Sequence, residues 1–353
     1  MYYNNMHKKI LFIGDLSESS RSLQRFRTLK EMGCEVMGLS YTPLSYRPGI
    51  DDKDGLFSKI LWKLGWPRDK AGINEKAIEA VRRSKFDIVW IDKCLVFRPE
   101  SLKLIRKKIP SIKLVWCSED DMYASHNQSR FFLRGIGFYD VIFTTKVYNL
   151  AELKKLGARR TEFFLDAYDE KVHRPMVLTE EEKKKFSCDV GFIGTFEKER
   201  ADSIIFLAEH GIQVVVWGNG WDKLSGCHPN LIIKGESLYG DDYPKAINAT
   251  KINLNFLRKI NRDEVTSRSI EIPACGGFML AERSKRHLDF FEDNKEAVFF
   301  SSLEELLNLV KIYLADDIKR NNIAKAGRAR CIISGYNHRS QLETMLEKID
   351  STF

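Results

Sequence analysis

The 353-residue sequence lacks several features, and each absence excludes a class of protein. No run of about 18 or more apolar residues is present, so no segment is predicted to span a bilayer. The seven cysteines lie far apart and include no C-x-x-C pair, so neither a disulfide framework nor a zinc site is indicated. The seven histidines include no H-x-x-x-H pair, and we expect no metal site.

A concentrated basic tract is also missing, although the net charge is +8. Positive residues are interleaved with acidic ones, as in EEEKKK at 180–185. The surplus charge predicts attraction to an anion such as a nucleotide-sugar, a membrane surface or a nucleic acid, and the scattered pattern disfavours nucleic acid. Residues 1–9 are polar and show no secretory signal, so we expect a cytoplasmic protein.

Short apolar runs alternate with amphipathic helical patterns along the chain. KKILFIGDL opens the first run, and a helical pattern follows at 19–32. HRPMVLTEEEKKKF at 173–186 interrupts the alternation with a proline and a block of charge, and CDVGFIGT at 188–195 restarts it. This order predicts an α/β fold of two Rossmann-like domains with covered parallel sheets.

The predicted first domain covers residues 1–174 and the second 187–335, joined by a linker at 175–186. A last helix, at about 336–353, is expected to pack back on the first domain. Strands are predicted at 35–39, 87–91, 113–116, 141–144, 162–165, 231–233, 252–256, 277–280 and 297–300.

Ligands of such sheets bind beyond the carboxyl ends of the strands. The turn Gly218-Asn-Gly220 follows a strand, but Lys223 replaces the third glycine of a dinucleotide fingerprint, which is therefore disfavoured. The sequence has no G-x-x-x-x-G-K-[ST], so a P-loop ATPase is not indicated.

The segment NRDEVTSRSIEIPACGGFML at 261–280 is the most informative. Thr266 and Ser267 are natural helix caps, and the free N–H groups of that helix would accept a phosphate, with Arg268 adding a charge-assisted contact. Glu271, one turn further, would hold a ribose diol. The alternative is a capped surface helix with an Arg268–Glu271 pair.

The same segment carries a resemblance. Residues 271–276, EIPACG, resemble the end of the E-x7-E signature of retaining GT-B glycosyltransferases, with Asp263 replacing the first glutamate. The resemblance is closer to the R-x-F-E-x-P-A-C-G motif of the CgeB-like (spore-maturation-protein type) glycosyltransferases, with Ile270 in place of phenylalanine. Further segments fit this family in the same order: 14–36, 86–93, 118–121, 139–146 and 188–202.

The resemblance implies a GT-B fold whose two parallel sheets face a central cleft. It also implies a retaining, metal-independent glycosyltransferase that needs no cofactor besides its UDP- or GDP-linked donor sugar. The second domain would bind the donor, and the first a glycan, lipid or protein hydroxyl. Asp263, where the pattern is broken, would face the sugar, and its presence keeps open a non-catalytic binding protein. Epimerisation of a nucleotide-sugar on the same fold stays open as well.

Donor contacts are carried over from the resemblance residue by residue. Glu271 would hold the ribose, with Thr266, Ser267 and Arg268 at the phosphates. Gly194 and Thr195 would form a close-approach loop. Lys198 and Arg200 would offer positive charge to the diphosphate, the alternative for both being a solvated helix face.

In the first domain, Glu119, Asp120 and Asp121 follow a predicted strand, and one of them would orient or deprotonate the acceptor hydroxyl. A helix N-cap cluster is the alternative interpretation. Gly14, at the end of the first strand, would allow close approach of a ligand or simply form a tight turn.

Apolar residues between Phe57 and Leu64 are interleaved with Lys59, Lys63 and Arg68. They fit an amphipathic element on an anionic membrane, which would place the protein at the inner membrane face. A helix packed on the first domain is the favoured alternative.

Overall fold

The computed structural model describes residues 7–18, 20–43, 55–235 and 237–351. The chain forms two compact units. The first runs to Leu165 and includes the chain from His338 onward, and the second runs from Asp166 to Asn337. No helix in the described part of the chain is both long and apolar enough to cross a bilayer.

The first unit is built on one sheet of six parallel strands in the order β2-β1-β3-β4-β5-β6. The direction of the strand order reverses between β1 and β3, which is where α/β sheets bind ligands. The strands are β1 (Lys9–Gly14), β2 (Glu35–Ser40), β3 (Ile88–Asp92), β4 (Lys113–Ser118), β5 (Val141–Thr144) and β6 (Thr161–Phe163). The helices are α1 (Arg21–Glu31), α2 (Leu56–Lys63), α3 (Ile73–Arg83), α4 (Pro99–Lys108), α5 (Arg130–Gly135), α6 (Asn149–Lys155) and α14 (His338–Asp350).

Both faces of this sheet are covered, because residues along each buried strand point alternately to either side. Leu11 and Ile13 belong to the core on one face, and Ile10 and Phe12 to the core on the other. The second core includes Leu342 and Met345 of α14, together with Leu23 and Leu29 of α1. The last helix of the chain is thereby part of the first unit.

The second unit also contains six parallel strands, in the order β12-β11-β10-β7-β8-β9. This is the Rossmann order, and it reverses between β7 and β10. The strands are β7 (Cys188–Ile193), β8 (Val214–Trp217), β9 (Leu231–Ile233), β10 (Thr250–Asn255), β11 (Met279–Glu282) and β12 (Val298–Phe300). The helices are α7 (Glu180–Phe186), α8 (Lys198–Glu209), α9 (Asp242–Ala249), α10 (Arg268–Ala274), α11 (Lys285–Phe290), α12 (Leu303–Ala315) and α13 (Asp317–Ile333).

The predicted α/β class with two parallel sheets is confirmed. One difference concerns residues 175–186, predicted as a linker, which contain α7 and belong to the second unit. Thr179 and Glu182 form a capping box that starts this helix, and Glu182 also pairs with Lys245 of α9 at 2.8 Å. The charged block that breaks the strand pattern is therefore a short capped helix.

Candidate functional site

The candidate site lies in the second unit, at the carboxyl end of β7, where the strand order reverses. The loop after β7 is held by the loop after β8. Gly194 N–H donates to the Trp217 carbonyl at 2.8 Å, and the Trp221 indole N–H donates to the Gly194 carbonyl at 2.8 Å. Gly218 has φ +143°, and a Cβ there would lie 2.1 Å from the Gly194 oxygen, so only glycine fits.

Two arginines reach this loop from different helices. Arg200, on α8, is only 2% exposed, and its Nη1 donates to the Thr195 carbonyl at 3.1 Å. A Cβ added to Gly194 would lie 3.2 Å from Nη2 of Arg268, so the guanidinium at the start of α10 lies against the Gly194 loop. Within the described residues, Nε and Nη2 of Arg200 and Nε of Arg268 are buried and have no hydrogen-bond partner.

The positive charges of Arg200 and Arg268 repel each other. Burial, followed by the charge of Arg268, lowers the pKa of Arg200 to about 10. Arg258 adds a third positive charge, whereas Glu197 and Asp263 oppose the shift. Glu197 accepts from Arg258 at 2.6 Å, but its other oxygen is 3.9 Å from Nε of Arg200, too far for a hydrogen bond.

Buried cations with unmade hydrogen bonds are costly unless an anion joins them. Arg200 and Arg268 present donors at one strand end, and the loop beside them carries a glycine with no side chain in the way. Guanidinium groups bind the oxygens of phosphate and carboxylate groups in this manner. The arrangement can therefore bind an anion with several oxygens, such as a diphosphate.

Glu271 is the buried acid of α10. Its Oε2 accepts from the Tyr243 hydroxyl at 2.7 Å, and its Oε1 lies 3.8 Å from Nε2 of His173. Burial, and then the charge of Glu271, raises the pKa of Tyr243 well above its usual value, so the phenol remains a donor. A carboxylate accepts hydrogen bonds from hydroxyl groups, so Glu271 has the chemistry that a ribose diol requires.

The start of α10 is fixed by a buried network. The Thr266 hydroxyl donates to Asn255 at 3.0 Å, and the Thr266 N–H donates to the Ser269 hydroxyl oxygen at 3.0 Å. Burial lowers the pKa of His287 to about 4, so its ring is neutral at neutral pH. Since His287 Nδ1 faces the Glu282 carbonyl at 2.7 Å and must donate to it, Nε2 accepts from the Ser269 hydroxyl at 2.7 Å.

This network changes the interpretation of Thr266 and Ser267. The Thr266 hydroxyl serves the interior of the unit, and neither residue caps the helix with its side chain. The prediction of side-chain capping is therefore wrong. The reason is that Asn255, at the end of β10, lies within hydrogen-bonding distance of Thr266 and Ser269.

Lys198 and Arg200 were predicted together but lie on different faces of α8. The Lys198 side chain is 80% exposed and pairs with Asp202 at 2.6 Å, one helical turn further. Lys198 thus corresponds to the solvated-helix alternative, and Arg200 belongs to the site. The Thr195 side chain is exposed, and its carbonyl oxygen is the atom that contacts Arg200.

Asp263 lies in the turn between β10 and α10 and is half-buried. One of its oxygens accepts from the Asn261 amide at 2.7 Å. Its charge raises the pKa of Arg200, so it belongs to the same charge cluster.

The acidic residues after β4, in the first unit, form a structured turn. Asp121 is fully buried, and its Oδ1 accepts from the backbone N–H groups of Tyr123 and Ala124 and from the Asn149 amide, the last at 2.8 Å. Asp120 is more accessible and forms an ion pair with Lys93. Asp121 thus stabilises the turn before the short 3₁₀ helix Ser125–Asn127 without capping that helix, and the acceptor role of these acids stays a prediction.

The first unit contains a charge network that the sequence patterns did not predict. Arg25 of α1 contacts both oxygens of Asp92 at 2.7 and 2.9 Å and also pairs with Glu119, which accepts from Arg21 at 2.8 Å. Burial alone would raise the pKa of Glu119, but the charges of Arg21 and Arg25 lower this pKa below its usual value.

Gly14 lies directly beneath this network. A Cβ there would be 2.1 Å from the Ser22 hydroxyl and 3.2 Å from the Asp92 Cβ. Because Gly14 has no side chain, α1 can pack on the sheet at this point.

Other residues of the site that the sequence patterns did not predict are Glu197, Arg258, Tyr243 and His173. Glu197 lies within the quoted 188–202 segment, but no local pattern distinguishes Tyr243 or His173. Among the described residues, no group of three or more His, Cys, Asp and Glu side chains has a geometry that would hold a metal.

Comparison with known proteins gives a consistent result. Residues 200–347 match the family model described as glycosyl transferase-like. No curated protein matches the chain.

Solved structures resemble the chain over 98% of its length. Alr3699/HepE of Anabaena, in complex with UDP and glucose, aligns over its full length with 13% identity and a TM-score of 0.63. Sucrose-phosphate synthase of Thermosynechococcus elongatus aligns over its full length with 12% identity and a TM-score of 0.67. A putative UDP-N-acetylglucosamine 2-epimerase of Listeria monocytogenes aligns over 96% of its length with 11% identity and a TM-score of 0.60. The chain therefore has the GT-B fold, and its residues 200–347 match the glycosyl transferase-like family.

Proposed function

We propose that the chain is a glycosyltransferase that moves a sugar from a nucleoside-diphosphate sugar to a hydroxyl group of a glycan, lipid or protein. The observation that carries the proposal is the pair of guanidinium groups of Arg200, which is buried, and Arg268, which is half-buried. Three of their nitrogens are buried without a hydrogen-bond partner among the described residues, and a diphosphate would complete these hydrogen bonds. The match of residues 200–347 to the glycosyl transferase-like family supports the same function.

In this proposal the protein holds two parts of the donor, its diphosphate and its ribose. Arg200 and Arg268 bind the diphosphate beside Gly194 and Thr195, and Ser267 adjoins them at the start of α10. Glu271, held by Tyr243, accepts hydrogen bonds from the ribose hydroxyls. A uridine base is supported by the UDP bound to the Anabaena protein.

The proposed reaction breaks the bond between the anomeric carbon of the sugar and the donor phosphate oxygen. Arg200 and Arg268 stabilise the negative charge that develops on the departing diphosphate, so the protein's own cations supply the charge and no metal is required. The acceptor oxygen bonds to the same face of the anomeric carbon, and its proton passes to a carboxylate. Among the acids predicted for acceptor binding by the first unit, Asp120 is the better candidate for such a role, because Asp121 already accepts three hydrogen bonds.

Calorimetric titration with UDP and with inorganic pyrophosphate tests the donor site. Arg268→Ala should weaken both ligands by about 10- to 100-fold, because a charge-assisted hydrogen bond is lost. Glu271→Gln should weaken UDP alone, since pyrophosphate has no ribose. Lys198→Ala is the matched control, because it removes a cation from the exposed face of α8, the helix that carries Arg200, and it should change neither affinity by more than about twofold. Wild-type affinity of Arg268→Ala for both ligands would refute the site.

Activity assays address the transfer itself. UDP-sugars incubated with simple glycan acceptors should yield product with the donor's anomeric configuration, and a chelator should leave the rate unchanged. Failure to transfer or hydrolyse any donor, with UDP affinity intact, would favour a non-catalytic binding protein.

Epimerisation of a nucleotide-sugar is the second candidate function, and the likeness to the putative Listeria 2-epimerase supports it. Incubation of each UDP-sugar without an acceptor, followed by NMR, distinguishes the two reactions. An epimer formed without acceptor would replace the transferase proposal.

A further inference from the structure

Helix α2 differs from the expected helix packed on the first domain. None of its residues, Leu56–Lys63, is buried. Four apolar side chains are between 46% and 77% exposed, and we call them the α2 patch: Leu56, Phe57, Ile60 and, directly after the helix, Leu64. Leu61 is half-buried. No described element covers this patch.

Positive charge surrounds the α2 patch. Lys59 and Lys63 are exposed on the helix itself, and the Arg68 guanidinium lies 5.9 Å from the Phe57 ring centre. Among the described residues, Asp69 is the acid next to Arg68, and it accepts from the backbone N–H groups of Ile73 and Asn74 at the start of α3. Three further acids, Asp51, Asp52 and Asp54, precede α2 in the sequence and lie outside the described residues. The apolar and basic groups therefore share one surface, and the adjacent carboxylate already has partners.

The carboxyl end of α2 is attached to the body of the first unit. Arg130 donates its backbone N–H to the Gly65 carbonyl at 2.8 Å and its Nε to the Leu64 carbonyl at 3.0 Å. The Trp66 ring packs edge-on against Phe131 at 5.0 Å. These contacts attach the residues that follow α2 to the first unit.

An eight-residue helix with no buried side chain is not expected to be stable in water, because most helical stability in proteins comes from burying one face. At about 100° per residue, the apolar residues Leu56, Phe57, Ile60 and Leu64 occupy an arc of roughly 100°, with the two lysines beside it. An apolar arc with flanking lysines is typical of helices that lie in a membrane interface. Trp62 lies on the opposite side of the helix from this arc.

We propose that the α2 patch binds the surface of an anionic lipid bilayer, with its apolar side chains in the acyl boundary and its lysines at the headgroups. The basic rim favours this occupant over a second copy of the chain, whose own patch carries the same positive charge. The proposal does not depend on the proposed sugar transfer. If both hold, the acceptor is lipid-linked and the protein acts at the inner membrane face.

Sedimentation with vesicles supplies the readout. Vesicles of phosphatidylcholine with about one third phosphatidylglycerol should sediment the protein, and pure phosphatidylcholine vesicles should not, because lysines near an anionic surface strengthen binding. The variant Phe57→Trp places a fluorescent reporter within the arc. Anionic vesicles should shift its fluorescence to shorter wavelength by more than that of the wild type, whose exposed Trp62 lies on the opposite side of the helix.

Matched variants identify the surface. The triple variant Phe57→Ser, Ile60→Ser, Leu64→Ser should lose at least about tenfold in vesicle affinity, since apolar burial drives insertion. The control Ile312→Ser, Ile318→Ser, Ile333→Ser removes three apolar side chains of the second unit that are more than half exposed, and it should bind as wild type. Both variants should keep the wild-type melting temperature, because the replaced side chains are exposed.

Three outcomes would overturn the proposal: no sedimentation with anionic vesicles, equal loss in both triple variants, or a dimer in light scattering that the α2 variant alone dissociates. The last would assign the patch to a second copy. UDP affinity measured on the same samples keeps this test separate from the donor-site proposal, because neither triple variant alters Arg200 or Arg268.

Discussion

The two strand-order reversals of this protein carry buried arginines in contrasting states. In the first unit, Arg25 makes hydrogen bonds with all three guanidinium nitrogens, to Asp92 and Glu119. In the second unit, Arg200 and Arg268 leave three nitrogens without partners among the described residues. The arginine at the first reversal has all its nitrogens paired with acidic side chains. The arginines at the second reversal do not.

The comparison indicates which residues serve the fold and which serve a ligand. Natural structures satisfy nearly all buried polar groups, so a buried cation with orphaned donors calls for an explanation. Arg25 joins helix α1 to strand β3 through Asp92, a structural role. Arg200 and Arg268 have nitrogens that no described residue partners, and the anion-binding role proposed for them would account for this difference.

The largest expected change in stability follows from replacing Arg25, whose guanidinium is fully paired. Arg25→Met leaves Asp92 buried without its bidentate partner and should reduce the free energy of unfolding by about 3 to 5 kcal/mol. Urea denaturation followed by circular dichroism measures this loss. A loss below about 1 kcal/mol would show that the network is not structural.

His287, which bonds Ser269 at the start of α10, makes a pH-dependent contribution to the free energy of unfolding. His287 has a folded pKa of about 4, below its ordinary value of 6.5, so the unfolded chain binds the proton more tightly. Its contribution to stability is therefore fully present above pH 6.5 and is lost as pH falls towards 4, by about 3 kcal/mol.

Urea titrations between about pH 4 and 7 test this contribution. In His287→Asn the slope of stability against pH in the acidic range should be smaller, and in the control His126→Asn, which changes an exposed histidine, it should equal that of the wild type. Equal slopes in all three proteins would contradict the neutral state of His287.

The conformation of the Gly194 loop, which contacts Arg200 and Arg268, depends on Gly218. Gly218→Ala places a Cβ against the Gly194 carbonyl and should cost about 2 kcal/mol and weaken UDP binding. Gly211→Ala is the control, because Gly211 also has positive φ, +82°, but open space around it, and it should cost about 1 kcal/mol with UDP affinity unchanged. Thermal unfolding and calorimetry give both quantities.

The smallest expected effect is the one that most sharpens the comparison. Arg268→Met, the same substitution as at Arg25, should leave the stability of the free protein unchanged or raise it by up to about 1 kcal/mol, because it removes repulsion from Arg200. The stabilisation by UDP should fall at the same time, since stabilisation by a ligand depends on its affinity. If Arg268→Met destabilised the free protein as much as Arg25→Met does, the distinction between the two sites would be lost.

Much of the fold was predictable because strands and helices here have strong local patterns. Strands at Val141–Thr144 and Leu231–Ile233 have the predicted bounds. The start of β11, at Met279, was placed two residues early, because Gly276 and Gly277 form a turn in which Gly277 packs against Ile247. Such close packing has no signature in the local sequence.

The site was predictable only in part. Chemistry and the family resemblance selected the segment around Arg268 and Glu271, and the residues there lie at the Rossmann strand reversal. Lys198 and Arg200 could not be separated, because both are basic and only two positions apart. The Thr266 hydroxyl could not be assigned either, since its partner Asn255 lies on another element.

The sequence by itself determined the alternation of strands and helices, because that alternation follows from the period of apolar residues along the chain. Only the tertiary structure decided which charges are satisfied. Strand order brings Gly194 beside Arg268 and turns Arg200 inward, and burial makes unmade hydrogen bonds costly there. The physical reason is that the burial and pairing of a charge depend on residues distant in the chain, whereas a periodic pattern does not.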